Sequence, residues 1–312
     1  NGTLWLVGDS DLLLIASDAP LDSRLDGVET TWRRPGVADD LGEVSVQRPF
    51  ALLSQYAGGP AELRRLAGSA PLQTDDRLSL EFTGPAALNA GLGRGDGPGI
   101  RELLPPGGGP PAIRLALARA TGADWQSRAR MLLETGDYEG AFHDSMRALD
   151  LDPQDDATLD GLVVAAGVTS REAEAVDRLK TLIARHPDRA ALRVAASRLL
   201  ASAGLIEEAV AVLDPGVTGA DAEAKLVEQA ASIFADAGDL PRLDLALGRL
   251  RQLRPDAPRT IYFTAAAEFL RGRFDAASAL AERVLAAEPG YAPAYTLLGA
   301  CRASLGRTEL AR

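Results

Sequence analysis

The sequence predicts a mainly α-helical fold in which residues 122–312 form an α-α superhelical solenoid of helix pairs. The first observation behind this prediction is a period of 34 residues that runs through six frames without an insertion or deletion, the sixth frame being truncated. A fixed period of this size is typical of helix-pair arrays, because one pair cannot bury its apolar face alone. The frames start at Gly122, Asp156, Ala190, Ala224, Pro258 and Ala292.

The second observation is that small residues and prolines recur at fixed positions of the frames. Glycine permits a tight turn between two helices, and proline cannot continue a helix. We therefore predict a turn at position fifteen and the end of the second helix before position thirty-two. Position fifteen holds Gly136, Ser170, Gly204, Gly238, Gly272 and Gly306, and position thirty-two holds Pro153, Pro187, Pro255 and Pro289 in four of the five complete frames.

Bulky and small residues alternate within each frame in a recognisable pattern. The residues concerned are Trp125 at position four, Tyr138 at seventeen, Ala141 at twenty and Ala148 at twenty-seven of the first frame, and Tyr295, Leu298 and Gly299 at four, seven and eight of the last. They resemble the tetratricopeptide repeat (TPR) family over residues 122–312, with five full repeats and a truncated sixth. Position eight departs from the family pattern, since only Gly299 is the usual glycine. The resemblance implies a scaffold that binds a protein or peptide ligand.

By the same resemblance, a peptide-binding groove is lined by positions two, five, nine, twelve and thirteen of each first helix. The alternative for every such residue is a solvated helix face. The family's carboxylate clamp needs lysine at position five and asparagine at position nine of the first frame. Gln126 and Arg130 stand there, so we do not expect the acidic tail of a chaperone to bind. A peptide that carries both charge signs fits better. The groove candidates are Gln126, Arg130, Glu134, Asp160, Arg198, Lys225, Glu228, Ser232, Asp236, Arg259, Tyr262 and Phe269.

The third frame departs from the others near its end, where residues 214–219 read Asp-Pro-Gly-Val-Thr-Gly. Proline and glycine both disfavour a continuing helix. We expect a shortened second helix with a longer loop, and a flexible joint in the superhelix is the alternative.

Residues 1–88 do not share the repeat and predict a mixture of strands and short helices. Apolar runs around the turn residues Gly8-Asp9 indicate a hairpin. Residues 89–111 are a Gly/Pro-rich linker, and their alternating glycines are not expected to bind a phosphate because proline-glycine coil follows them instead of a helix. The predicted elements are strands at 3–7, 12–16 and 78–82, helices at 49–56 and 60–68, and a leading helix at 112–121 that caps the solenoid.

A second resemblance concerns residues 1–88. Their motif is Thr74, Asp75, Asp76, Arg77, Glu81 and Phe82, preceded by Trp5 and an apolar strand. These residues look like the C-terminal end of bacterial spermidine synthase-like proteins (polyamine aminopropyltransferases), although Leu78 stands where proline is common. The resemblance implies the last part of a Rossmann-like, methyltransferase-type α/β domain.

A complete domain of that family would transfer an aminopropyl group from decarboxylated S-adenosylmethionine to an amine such as putrescine. Its glycine-rich loop and catalytic aspartate lie earlier in the domain, so no residue here inherits a catalytic role. The six motif residues have no assigned role, and a turn before an edge strand explains them equally well. We expect no cofactor and no activity in this fragment, with the cofactor belonging to a longer parent.

Composition restricts the partners. The net charge of −11 disfavours nucleic acid and anionic membrane surfaces. Cys301 is the single cysteine, and the two histidines, His143 and His186, lie in different repeats, so we expect no metal site and no disulfide. The chain does not begin with Met and ends inside a repeat; we expect a piece of a longer cytoplasmic protein, or one tethered to a membrane through a preceding region.

Two functions remain open at this stage. One is an interaction scaffold attached to a spermidine synthase-like module. The other is a working polyamine aminopropyltransferase whose repeats tether or regulate it. A self-associating structural protein is a weaker third alternative.

Overall fold

The computed structural model describes residues 1–7, 11–68, 109–217 and 223–306. The chain divides into two compact units, Asn1–Ala165 and Ala166–Arg312. The first unit contains the N-terminal elements together with the first repeat. The second contains repeats three to six and the second helix of repeat two.

The first unit opens with the predicted hairpin. Strand β1 (Gly2–Val7) pairs antiparallel with β2 (Asp11–Ala16), so that Trp5 lies opposite Leu13. A third strand, β3 (Tyr56–Gly58), pairs antiparallel with the other edge of β1. The hairpin prediction is confirmed, although the turn at residues 8–9 lies outside the described residues.

The described sheet does not support a Rossmann-like assignment. A Rossmann-like sheet is built from mostly parallel strands, whereas both strand pairs described here are antiparallel. The predicted strand at 78–82, the motif residues Thr74 to Phe82 and the linker up to residue 108 lie outside the described residues.

Among the described residues, the N-terminal part of the first unit also contains six helices. The first three of them, within residues 22–42, were not predicted. The predicted helix at 49–56 ends three residues early, because the backbone of Gln55 accepts a hydrogen bond from Leu6 (2.8 Å) and Tyr56 joins β3. The helices are α1 (Asp22–Leu25), α2 (Val28–Trp32), α3 (Val37–Gly42), α4 (Pro49–Leu53), α5 (Pro60–Ala67) and α6 (Pro111–Arg119).

The helices of the repeats follow the 34-residue period. Every first helix begins at the first residue of its frame. The first helices are α7 (Gly122–Glu134), α9 (Asp156–Thr169), α11 (Ala190–Ser202), α13 (Ala224–Asp236), α15 (Pro258–Leu270) and α17 (Ala292–Ser304). The second helices are α8 (Tyr138–Leu151), α10 (Glu172–Arg185), α12 (Ile206–Val217), α14 (Leu240–Leu253) and α16 (Phe274–Ala287).

The second helix of repeat three was predicted to lose its last turns at residues 214–219. Helix α12 instead continues through Asp214 and Pro215 to Val217. A proline within a helix removes one backbone hydrogen bond and leaves the preceding turns intact. Residues 218–222, where the longer loop was expected, lie outside the described residues.

Helix α4, with the leading helix α6 beside it, packs against the first repeat. Ile113 of α6 is buried with Trp5, Leu53 and Tyr56. On the other side of α6, the ring of Phe50 from α4 packs edge-on against Trp125 of the first repeat, with 4.9 Å between centroids. The N-terminal elements therefore cover the apolar end of the first repeat, which a solenoid must shield from water.

The second unit is a row of helix pairs. The first helices α11, α13 and α15 each contact the second helix of their own repeat and the first helix of the next repeat, which for α15 is α17. Leucines and small residues fill the space between them, including Leu199, Ala231 and Leu247. The first helices thus form one continuous layer, which presents its outward side chains on a single face.

Candidate peptide-binding face

The predicted groove residues fall into the two units. Gln126, Arg130, Glu134 and Asp160 belong to the first unit, and the other eight belong to the second. We call the residues of α13 and α15 among these eight, together with Tyr291, the first-helix face. It consists of Lys225, Glu228, Ser232, Asp236, Arg259, Tyr262, Phe269 and Tyr291.

In the first repeat, a residue of the N-terminal elements forms a hydrogen bond with a predicted groove residue. The carboxylate of Glu134 accepts hydrogen bonds from the hydroxyl of Ser45 and, at 3.3 Å, from Arg130. These bonds, the one from Ser45 first, lower the pKa of Glu134. Nearby, Arg48 pairs with Asp124 at 2.6 Å. Part of this face therefore holds the N-terminal elements in place.

Glu228 is the most buried charged residue on the first-helix face, with 8% of its surface exposed. Arg254, at the end of α14, and Arg259, in the first turn of α15, each approach its carboxylate to 3.8 Å. Both arginine side chains remain more than half exposed. At 3.8 Å the pairs are electrostatic contacts and not hydrogen bonds, so the arginine donors can serve a further partner.

Two tyrosines extend this cluster. The rings of Tyr262 and Tyr291 lie edge-on with 5.2 Å between centroids, and the guanidinium carbon of Arg259 lies 5.8 Å from the Tyr291 centroid. Burial, with smaller contributions from Tyr291 and Asp236, raises the pKa of Tyr262 to about 12. Its hydroxyl is therefore a neutral hydrogen-bond donor at physiological pH. Such half-buried aromatic rings are typical anchors of interfaces.

Asp236 and Phe269 lie toward the C-terminal ends of their helices. Partial burial raises the pKa of Asp236. Phe269 packs edge-on against Phe274 at 5.3 Å and so contributes to the turn of its own repeat as well as to the face. The structure thus brings together three of the groove candidates, Glu228, Arg259 and Tyr262, and their role in binding stays a prediction.

Sequence reasoning missed two members of the cluster, Arg254 and Tyr291. Both lie outside the first helices, and groove positions were counted only within those helices. Tyr291 occupies position thirty-four, directly before α17, so an aromatic residue at that position was the available signal.

Comparisons with known proteins place TPR proteins among the structural neighbours. No family model matches the chain, and no curated protein sequence matches it. A TPR protein from Parabacteroides merdae has 13% identity and a TM-score of 0.45, covering 61% of this chain and 75% of that one. A thermophilic TPR protein from Thermus thermophilus has 22% identity and a TM-score of 0.44, covering 59% of this chain and 99% of that one. The human IFIT1 dimer, solved with m7Gppp-AAAA, has 12% identity and a TM-score of 0.44, covering 95% of this chain and 67% of that one.

At such identities the comparisons concern the fold and assign no function. The spermidine synthase-like resemblance of residues 1–88 finds no support among them.

Within the part of the chain that the structure describes, no helix is long and apolar enough to cross a bilayer. No group of three or more histidine, cysteine, aspartate or glutamate residues in those same ranges could hold a metal ion.

Proposed function

We propose that this chain is a protein-interaction scaffold and that the first-helix face binds a peptide segment of its partner. The observation that carries the proposal is the cluster formed by Glu228, Arg259, Tyr262 and Tyr291. These side chains come from two neighbouring first helices and the residue preceding a third, so only the stacked repeats bring them together.

The chemistry of the cluster suits a peptide. Exposed guanidinium groups can bind carbonyl or carboxylate oxygens, and the tyrosines offer apolar area with a polar edge. The net charge of −11 argues against a nucleic acid ligand, since phosphates would be repelled. A protein or peptide ligand is therefore the function class that the face favours.

The aminopropyltransferase hypothesis is not part of this proposal. Its motif, Thr74 to Phe82, lies outside the described residues, and both described strand pairs of the N-terminal sheet are antiparallel. A role for residues 1–88 in a polyamine synthase, with decarboxylated S-adenosylmethionine as cofactor of a longer parent, stays a prediction from sequence resemblance.

The proposal is tested by selecting ligands from a phage-displayed library of random dodecapeptides with the 312-residue chain as bait. Selected peptides are then synthesised, and their dissociation constants are measured by fluorescence anisotropy. We expect Arg259→Ala and Tyr262→Ala to weaken binding at least tenfold, the size of a loss of about 1.4 kcal/mol. Thermal denaturation followed by circular dichroism checks that both variants fold.

Leu245→Ala is the matched control. Leu245 is 77% exposed on α14, the second helix of the fourth repeat, and so lies outside the first-helix face. This variant should bind the peptides as the unaltered chain does. The proposal is wrong if no peptide is enriched, or if the enriched peptides bind all three variants equally.

A further inference from the structure

Opposite charges are layered where the fourth repeat meets the fifth. The side chain of Glu228 is only 10% exposed. Arg254 approaches one oxygen of its carboxylate, Oε1, and Arg259 approaches the other, Oε2, each at 3.8 Å. Both arginine side chains are more than half exposed. A buried acid is therefore flanked by two cations that remain open to solvent.

Neither guanidinium group uses its hydrogen-bond donors within the parts of the chain that the structure describes. The distance of 3.8 Å to the carboxylate of Glu228 is longer than an N–H···O hydrogen bond. A guanidinium group carries five N–H donors in a planar fork that matches the two oxygens of a carboxylate. Arg254 and Arg259 therefore offer free donors of the right geometry to an incoming anion.

The connection between α14 and α15 fixes the backbone that carries the two arginines. The carbonyl oxygen of Arg254 accepts hydrogen bonds from the hydroxyl of Thr260 at 2.8 Å and from the backbone N–H of Ala257 at 3.3 Å. Arg259 lies in the first turn of α15, beside the ring of Tyr291. Binding of an anion would therefore order two side chains and leave the backbone between them unchanged, which keeps the entropic cost low.

The charge of this cluster selects the kind of anion. Two arginines and one glutamate leave a single positive charge, in a chain whose net charge is −11. A carboxylate carries one negative charge and would neutralise it. A phosphate group carries close to two negative charges at neutral pH, so it would leave an excess negative charge beside the buried carboxylate of Glu228. Such an uncompensated charge is unfavourable where solvent is excluded.

We infer that Arg254 and Arg259 together bind one carboxylate of the partner peptide, and that Glu228 restricts the ligand to a single negative charge. This inference rests on the proposed function and names the chemistry of the ligand. Glu228 determines specificity because it compensates one arginine charge without occupying the donors. The site is not the family's carboxylate clamp, since neither arginine stands at position five or nine of its frame.

The test starts from the dodecapeptides selected by the full chain and adds a second library in which each random peptide ends in a free C-terminus. We expect the enriched peptides to share an acidic residue or to depend on the free C-terminus. Replacing the acidic residue by its amide, or amidating the C-terminus, shows which carboxylate is bound. The change that removes the bound carboxylate should weaken binding about tenfold or more in fluorescence anisotropy.

Arg254→Gln should weaken the binding of the carboxylate-bearing peptides by a similar factor, with no further loss for the amide versions. Arg283→Gln is the matched control, because it removes the same charge from an exposed residue of α16, a second helix outside the first-helix face. This control should bind as the unaltered chain does. The inference is overturned if Arg254→Gln binds the carboxylate-bearing peptides as tightly as the unaltered chain.

Glu228→Gln tests the charge restriction separately. It keeps the size of the side chain and removes the negative charge between the two arginines. The unaltered chain should bind a peptide with phosphoserine at the position of the bound carboxylate more weakly than the carboxylate peptide. Glu228→Gln should bind the phosphoserine peptide at least as tightly as the carboxylate peptide. A preference of the unaltered chain for phosphoserine would overturn the inference.

Failure of the inference can be separated from failure of the proposed function. Peptides that depend on Arg259 and Tyr262 but on no carboxylate would leave the interaction scaffold intact and remove the carboxylate site. If no peptide is enriched from either library, both proposals fall together.

Discussion

Ser170 occupies the turn position that five other repeats give to glycine. Its φ of 56° lies in the left-handed region, as do the φ values of Gly136 and Gly204, 84° and 78°. In each of the first five repeats, the residue after the turn position donates its backbone N–H to the carbonyl oxygen of the residue five positions before it, at 2.8–2.9 Å. Ser170 therefore adopts the glycine geometry and carries the steric cost of its Cβ.

We predict that Ser170→Gly raises the free energy of unfolding by up to about 1 kcal/mol, because glycine removes that steric cost. The gain is reduced by the greater freedom of glycine in the unfolded chain. The reciprocal change, Gly204→Ser, should destabilise by about 1 kcal/mol. No atom lies within 4 Å of a Cβ added at Gly204, so that effect would be purely conformational. Urea denaturation of both variants measures the two values, and a loss of stability in Ser170→Gly would contradict the prediction.

Asp124 connects the N-terminal elements to the first repeat. It forms a capping box with Thr121, whose backbone N–H donates to its carboxylate at 2.9 Å, and it accepts a 2.6 Å hydrogen bond from Arg48. Burial by itself would raise the pKa of Asp124, but the bonds from Thr121 and Arg48 outweigh it and the pKa is lowered. A lowered pKa in the folded state stabilises the fold above the unfolded pKa, and this stabilisation is lost as the pH falls through the folded pKa.

Asp124→Asn should therefore lower the free energy of unfolding by about 1 kcal/mol at neutral pH. The difference from the unaltered chain should stay constant from about pH 5 to pH 8 and shrink below about pH 4, where the unaltered carboxyl also becomes protonated. Urea denaturation at a series of pH values measures it. Asp18→Asn, at an exposed bend after β2, is the control. A difference that does not depend on pH would show that the charge of Asp124 contributes nothing.

At the scale of elements, periodicity predicted more than local composition did. The start of every first helix could be read from the sequence, because the turn glycines and the prolines repeat at fixed spacing. Helices α1 to α3 were missed, since helices of four to six residues are too short to show an apolar period. The early end of α4 depends on pairing between β3 and β1, which are about fifty residues apart in the chain.

The same contrast applies to the residues of the candidate site. The period predicted Glu228, Arg259 and Tyr262, because they occupy fixed positions of first helices. It did not predict Arg254 and Tyr291, because these residues lie in the connections between helices and their contacts depend on how those connections fold. The bond between Ser45 and Glu134 spans 89 residues. Such a contact between a repeat and a segment outside the repeats has no signature in the period.

At the scale of the whole molecule, the division into two units does not coincide with the start of the repeats. The first repeat belongs to the same compact unit as the N-terminal sheet and helices. Phe50 connects the N-terminal helices to the first repeat, because it is 6% exposed and packs on Trp125 and Ala148. In a solenoid each repeat contacts only its neighbours, so a local loss of packing should stay local.

Phe50→Ala tests this expectation. Removing a buried phenylalanine costs about 3 kcal/mol or more, and here the loss should loosen the cap and the first repeat together. We expect faster amide hydrogen exchange, measured by mass spectrometry, across residues 1–68 and 109–151, with exchange in 224–306 unchanged. Phe263→Ala, at a site only 2% exposed in α15, should give the converse pattern. If Phe50→Ala also raises exchange in residues 224–306, the two units unfold as one, because only a shared cooperative transition would carry the loss of packing from the cap to the distal repeats.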